Sequence, residues 1–144
     1  MSTQESWQKE SWQAQSLPMS WQIRAIRGAT TVPENSAEAM AEAVSELLDA
    51  VEQRNQLDPT KIVSVTFSVT RDLDAVFPAA IARTRPCWDA VPLLDVQQMH
   101  VEGSLPRCIR LMLHIYLPVH GPEVSHAYLR GASKLRPDLC VASD

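Results

Sequence analysis

Two arginine-bearing stretches carry the residue types best suited to chemistry in this chain. The first is WQIRAIRGATTV, residues 21–32, which alternates like a strand. Ile23, Ala25 and Arg27 fall on one face; Arg24, Ile26 and Gly28 fall on the other. Each face thus carries an arginine, and a guanidinium held near a core or cleft needs an anion. The second stretch, 107–117, has Ile109, Leu111, Leu113, Ile115 and Leu117 on one wholly apolar face. Cys108, Arg110, Met112, His114 and Tyr116 form the other, so Arg110 stands on the polar side of a strand. Of 13 basic residues 10 are arginine, yet the net charge is −4. That balance disfavours nucleic acid and requires any anion to be met by local arginines, which bind carboxylates as planar forks. Arg54, Arg71 and Arg85 read as surface residues, and Arg24 as a structural or surface ion pair.

Other chemistries find no motif. The chain has no Gly-rich phosphate loop, no dinucleotide fingerprint, no paired-histidine zinc helix and no nucleophile elbow. His114, His120 and His126 are evenly spaced but fall on a strand, a turn and a predicted helix start, which suits polar roles rather than a metal. Cys87, Cys108 and Cys140 match no zinc or redox spacing and read as free thiols in a reducing compartment. No apolar run approaches the roughly 18 residues of a membrane span, and no secretory leader is evident. A cytoplasmic protein without a membrane partner is expected. An enzyme built on this sequence must work without a covalent nucleophile.

The elements that position these arginines follow from periodicity. With 144 residues, 45% hydrophobic and 21% charged, the chain suits one globular domain with a real core. Residues 1–19 stand apart: SWQ recurs at 6–8 and 11–13, and again at 20–22, without an apolar stripe. They read as a flexible extension docking weakly, if at all, through Trp7 and Trp12; a start at Met19 is the alternative. The folded domain is expected over 20–141, with a short tail at 142–144. Asn35 followed by Glu38 resembles a capping box. Ala37, Met40, Ala41, Val44, Leu47, Leu48 and Val51 then mark an amphipathic helix ending near Asn55. Asp58-Pro59 suggests a short capped turn, and 62–69 a strand. A loop and a short helix after Pro78 follow, then strands over 91–97 and 107–117. A helical segment at 122–127 and a last strand at about 127–135 complete an α+β domain with a mixed sheet.

The blocks IRAIRGATTV (23–32), DLDAVFPA (72–79), GSLPRCIR (103–110), AYL (127–129) and LRPDL (135–139) occur in one order and spacing. In these the sequence resembles the monofunctional AroH-type chorismate mutases, over about residues 23–139. The resemblance implies a mixed β-sheet packed with helices and a homotrimer forming a pseudo-α/β barrel. It implies three active sites in clefts between subunits, and the pericyclic conversion of chorismate to prephenate, with no cofactor and no metal. Chorismate is a dicarboxylate, which supplies the anion that Arg27 requires. By the same resemblance Arg110 faces the ether oxygen, where negative charge builds in the transition state. Arg27 is the second arginine of the pair, and Tyr128 is the phenol that hydrogen-bonds a carboxylate. Phe77 and Ala79 become apolar wall residues from the neighbouring subunit, Arg83 lies near the mouth, Leu93 and Leu94 form another wall, and Leu135 and Arg136 close over the site.

Two departures stand out. The family usually has Cys at the position of Asp95 and Glu at that of Gln98; some relatives carry Lys where Ala80 stands. Gln98 can still accept a hydrogen bond from the substrate's ring hydroxyl, but without charge, and Asp95 returns a carboxylate to the neighbourhood. Both are therefore candidate site residues. The alternatives are a trimeric imine deaminase-like enzyme, and a weakly active module that binds chorismate or prephenate.

Overall fold

The computed structural model describes residues 20–139. The readings made for 1–19, Cys140 and the tail at 142–144 lie outside the described residues. Five strands form one mixed sheet in the order β3-β2-β4-β1-β5. They are β1 (Trp21–Thr31), β2 (Ile62–Val69), β3 (Leu93–Gln97), β4 (Cys108–Pro118) and β5 (Ala127–Tyr128). Two α-helices, α1 (Ala37–Asn55) and α2 (Pro78–Arg83), pack on one face. The fold is α+β, as expected.

The core lies between α1 and that face. Met40, Ala43, Val44, Leu47, Leu48 and Val51 of α1 are buried, the stripe the helical period requires. They meet Ile26 of β1, Val65 and Phe67 of β2, and Ile109, Leu111, Leu113 and Ile115 of β4. Gly28 permits this approach: a Cβ there would come within 3.1 Å of Leu111 Cγ and 3.2 Å of Leu47 Cδ1. The α1 cap is Ser36, whose hydroxyl accepts from Ala39 N at 3.1 Å. The expected Asn35–Glu38 box is thus displaced by one residue. Asn35 instead exchanges bonds with the loop before α2, donating to Asp74 Oδ1 at 2.7 Å and accepting from Asp74 N at 3.1 Å.

The opposite face of the sheet has no covering layer among the described residues. Ile23 is 51% exposed, Tyr116 47% and Leu94 58%, the exposure of a surface built to be covered. The strand readings hold with small shifts, including a register irregularity between Ile62 and Ser64. Two readings fail. Residues 122–126 are irregular rather than helical. Pro122 supplies no amide hydrogen, and the Asn55 side chain takes over the backbone of Ser125, donating to its carbonyl at 2.9 Å and accepting from its N–H at 2.8 Å. The last strand is only two residues long, and 3₁₀ turns at Arg130–Lys134 and Pro137–Leu139 replace the rest. No helix among the described residues is long and apolar enough to cross a membrane.

Candidate active site

The register of β1 against β4 builds the site. Arg27 pairs with Met112 and Ala29 with Arg110, so the two arginines are diagonal neighbours on the uncovered face. Such neighbours have backbones about 7–8 Å apart, close enough for two long side chains to address one ligand. Neither strand can turn its arginine inward, because its alternate residues, Ile26 on β1 and Ile109 and Leu111 on β4, are locked in the core. Met112 and Arg110 also pair across β4 with Thr66 and Ser68 of β2. Those four residues, with Arg27, Tyr128, Leu135 and Arg136, line a cleft of about 500 Å³, ample for a small ring carrying two carboxylates.

The cleft is electropositive. Among the described residues its lining contains Arg27, Arg110 and Arg136 and no carboxylate. Arg136 is held by Asp138 at its rim, with bonds of 3.1 and 2.8 Å. Those bonds and the nearby guanidiniums, Arg27 included, hold the Asp138 carboxyl below the usual range. Tyr128 is placed by β5, which runs parallel to β1 with Ala29 opposite Tyr128. Behind Arg110 sits Cys108, buried on the same face. Burial pushes its thiol pKa up, against the adjacent Arg110, so it stays protonated.

The remaining predicted residues lie elsewhere. Phe77 is 68% exposed and borders a separate apolar hollow of about 550 Å³ with Val76, Pro78, Asp95 and Val96. That exposure excludes the plain-core role a lone phenylalanine would suggest. Ala79 is buried in the chain's own core, Leu93 packs against that core, and Leu94 projects from the uncovered face. Arg83 is exposed at the end of α2. Asp95 pairs with Phe67 and so points to the helix side of the sheet, opposite Arg27 and Arg110. Its Oδ1 accepts from Ala79 N at 3.0 Å and so caps α2, whose N-cap Phe77 has no side-chain acceptor. Burial pushes the Asp95 carboxyl above its ordinary range, outweighing the Ala79 N–H and Arg83. Gln98 follows β3, and its amide oxygen is buried without a hydrogen-bond partner among the described residues. One chain therefore gathers Arg27, Arg110, Tyr128, Leu135 and Arg136 in one place, and Phe77 and Asp95 in another.

Sequence reasoning missed several participants. Thr66 and Ser68 were legible as the polar alternates of β2, and Gly28 as the small residue beside Arg27. His126, read only as a generic polar residue at a helix start, accepts from Arg27 N through Nδ1 at 2.9 Å. Arg85 is not a surface arginine: its side chain is 14% exposed and bonds Asp49 at 2.9 Å and Glu52 at 3.2 Å. Arg54 is likewise half-buried, donating to His126 O at 3.3 Å.

Comparisons with known proteins identify the family. The family model described as chorismate mutase type I matches residues 23–139. The chain is 38% identical to chorismate mutase AroH of Bacillus subtilis (strain 168) over 122 residues, 85% of this chain and 96% of that protein. It is 42% identical to chorismate mutase AroH of Thermus thermophilus over 118 residues, 81% of this chain and 96% of that one. A solved chorismate mutase from Clostridium thermocellum superposes with a TM-score of 0.71 at 38% identity, covering 77% of this chain and 98% of its own. These relatives favour the mutase over the imine deaminase or a mere binding module. A matched family model over nearly all the described residues, a shared fold and an arginine pair fit for a dicarboxylate converge: the chain belongs to the type I chorismate mutase family.

Proposed function

We propose that the arginine cleft is one half of a composite active site, completed by the Phe77–Asp95 hollow of a neighbouring copy in a homotrimer. The chain is a chorismate mutase, an isomerase of aromatic biosynthesis that converts chorismate to prephenate. The rearrangement breaks a C–O bond and forms a C–C bond within one molecule. The protein's work is to select the compact conformer and to stabilise charge.

Arg27 and Tyr128 grip carboxylates through charge-assisted hydrogen bonds, and Arg136 with Leu135 closes the rim. Holding the reacting carbons at near-attack distance removes much of the entropic barrier. Arg110 faces the ether oxygen, where negative charge is larger in the transition state than in the ground state. A donor fixed at such a position typically contributes about 3–4 kcal/mol. The buried Cys108 backs Arg110 on the same face of β4, which limits its reorganisation during reaction.

The observation that carries this reading is the Arg27–Arg110 diagonal in a cleft whose lining, among the described residues, has no carboxylate. Two guanidiniums side by side, Arg27 and Arg110, suit a dianion. Support for the composite site comes from the exposed Ile23, Tyr116 and Leu94 on the uncovered sheet face and from the Phe77 hollow, whose lining does not include Arg27, Arg110 or Tyr128. The exposed Phe77, Leu94 and Arg83 then supply the neighbouring wall and mouth, Ala79 and Leu93 back that wall from their own core, and Asp95 with Gln98 supplies the polar counterpart. A cytoplasmic location fits a pathway enzyme with this composition.

The test is loss of chorismate absorbance with wild-type protein and Arg110→Ala, alongside sedimentation. The expected result is a trimer whose kcat falls by about 10³-fold on substitution. Near-normal turnover by Arg110→Ala would remove the arginine from the ether oxygen, and a turning-over monomer would end the composite-site reading.

A further inference from the structure

We propose that His126 is a positioning residue for this reaction: its neutral ring replaces a missing rung of the sheet and sets the spacing between Arg27 and Tyr128. The inference rests on the reading that the arginine cleft holds the dicarboxylate substrate. It concerns a residue that lines neither the cleft nor the hollow.

The need arises at the edge of the sheet. Strand β5 pairs with β1 through only Gly28–Ala127 and Ala29–Tyr128. Beyond them, Leu129 N donates to Ala29 O at 2.9 Å. On the other side, at Arg27, the chain opposite β1 is irregular, and the Ser125 carbonyl accepts from the Asn55 side chain instead. The His126 ring fills that place, Nδ1 accepting at 2.9 Å. The backbone of Arg27 is thus bonded to the residue two before Tyr128. Both groups that grip carboxylates are referred to one another through this contact.

The rest of His126 is fastened as well. Arg54 of α1 donates to its carbonyl at 3.3 Å, and Asn55 clasps the preceding Ser125 from both sides. This clasp replaces the helix that the sequence suggests for 122–127, and it delivers the ring to the β1 edge. Accepting at Nδ1 fixes the tautomer, with the proton on Nε2. The charged groups around the ring are Arg27 on β1, Arg54 on α1 and Arg136 on the C-terminal segment, with the Asp138 carboxylate beside Arg136. Burial first, then Arg27 and Arg136, lowers the His126 pKa, which keeps the accepting form in place at neutral pH. An imidazolium would turn an N–H toward the Arg27 N–H and lose the bond.

Arg27 and Tyr128 hold carboxylates in the ground state and the transition state alike, whereas Arg110 stands on β4. Loosening the β1–β5 edge therefore raises KM more than it lowers kcat. The experiment measures kcat and KM at pH 7.5 for wild type, His126→Leu, His126→Asn and Arg27→Ala. Asn places its amide oxygen close to where Nδ1 sits and accepts without titrating. We expect His126→Leu to raise KM about five- to tenfold with kcat within about threefold, as befits one lost hydrogen bond. His126→Asn returns most of that loss. Two-bond ¹H–¹⁵N spectra of the wild-type protein should show His126 as the Nε2–H tautomer, a readout independent of whether His126→Leu folds. An Nδ1–H tautomer, or equal losses in Leu and Asn, overturns the proposal. If Arg27→Ala raises KM while His126→Leu does not, the positioning role alone fails; if Arg27→Ala leaves KM unchanged, the cleft reading itself fails.

Discussion

Replacing Asp95 separates its two roles. In the structure its Oδ1 accepts the Ala79 N–H at 3.0 Å, a cap supplied from β3 to a helix whose own N-cap side chain is phenylalanine. Loss of a capping acceptor costs about 1 kcal/mol, so Asp95→Ala should be less stable by that amount. Asp95→Asn keeps the acceptor and should not show that loss. The carboxyl carries a second signature. Burial raises its folded pKa above the unfolded value, so the folded state binds the proton more tightly. Wild-type stability therefore rises as pH falls from above the folded pKa to below the ordinary carboxylate value, and Asp95→Asn lacks that rise. Catalysis distinguishes the same variants differently. If Asp95 serves a neighbour's arginine cleft as its carboxylate, removing the charge costs kcat/KM about tenfold, some 1.4 kcal/mol, in Asn and Ala alike. The assay is chorismate loss at pH 7.5 paired with urea unfolding of both variants. Retention of kcat/KM within about twofold by Asp95→Asn would leave Asp95 as a cap alone and refute the electrostatic argument.

Gln98→Glu with Asp95→Cys should recover activity that Gln98→Glu alone does not, because two carboxylates together repel a dianion; additive free energies across that cycle would contradict the coupling. Glu52→Ala should lower stability by about 1–3 kcal/mol, since the buried Trp88 Nε1, which donates to Glu52 Oε1 at 2.7 Å, loses its acceptor. Gly28→Ala should destabilise the fold by crowding Leu47 and Leu111, by about 1–3 kcal/mol on thermal or urea unfolding.

The sequence was most legible where packing and periodicity agree. Val65 and Phe67 alternate with Thr66 and Ser68, and the strand over 62–69 has the expected bounds. Arg110 was assigned to the open face from its apolar neighbours alone, and β4 holds it there. Legibility failed where a tertiary partner overrode local signals. Asn35 looked like a cap because its side chain favours turns, but Asp74, remote in sequence, claims it and leaves Ser36 to cap. Residues 122–127 looked helical until Asn55 took the backbone of Ser125. Arg85 looked superficial because Asp49 and Glu52 meet it only after α1 and the segment following α2 have packed. The face of Asp95 was open from sequence because strand register decides it, and pairing with Phe67 directs it toward α2.

The central claim, a site shared between chains, is tested most directly by complementation. Arg110→Ala removes the charge from one half-site, and Phe77→Asp puts a repelling carboxylate on an exposed wall of the other. Each variant alone should be inactive, and both should sediment as trimers. Coexpression with different tags permits isolation of trimers that contain both chains. In a cyclic head-to-tail ring of this kind one interface joins two intact halves, so the mixed trimers should regain about one third of wild-type turnover. Mixed trimers as inactive as their parents would place both halves within one chain and contradict the account.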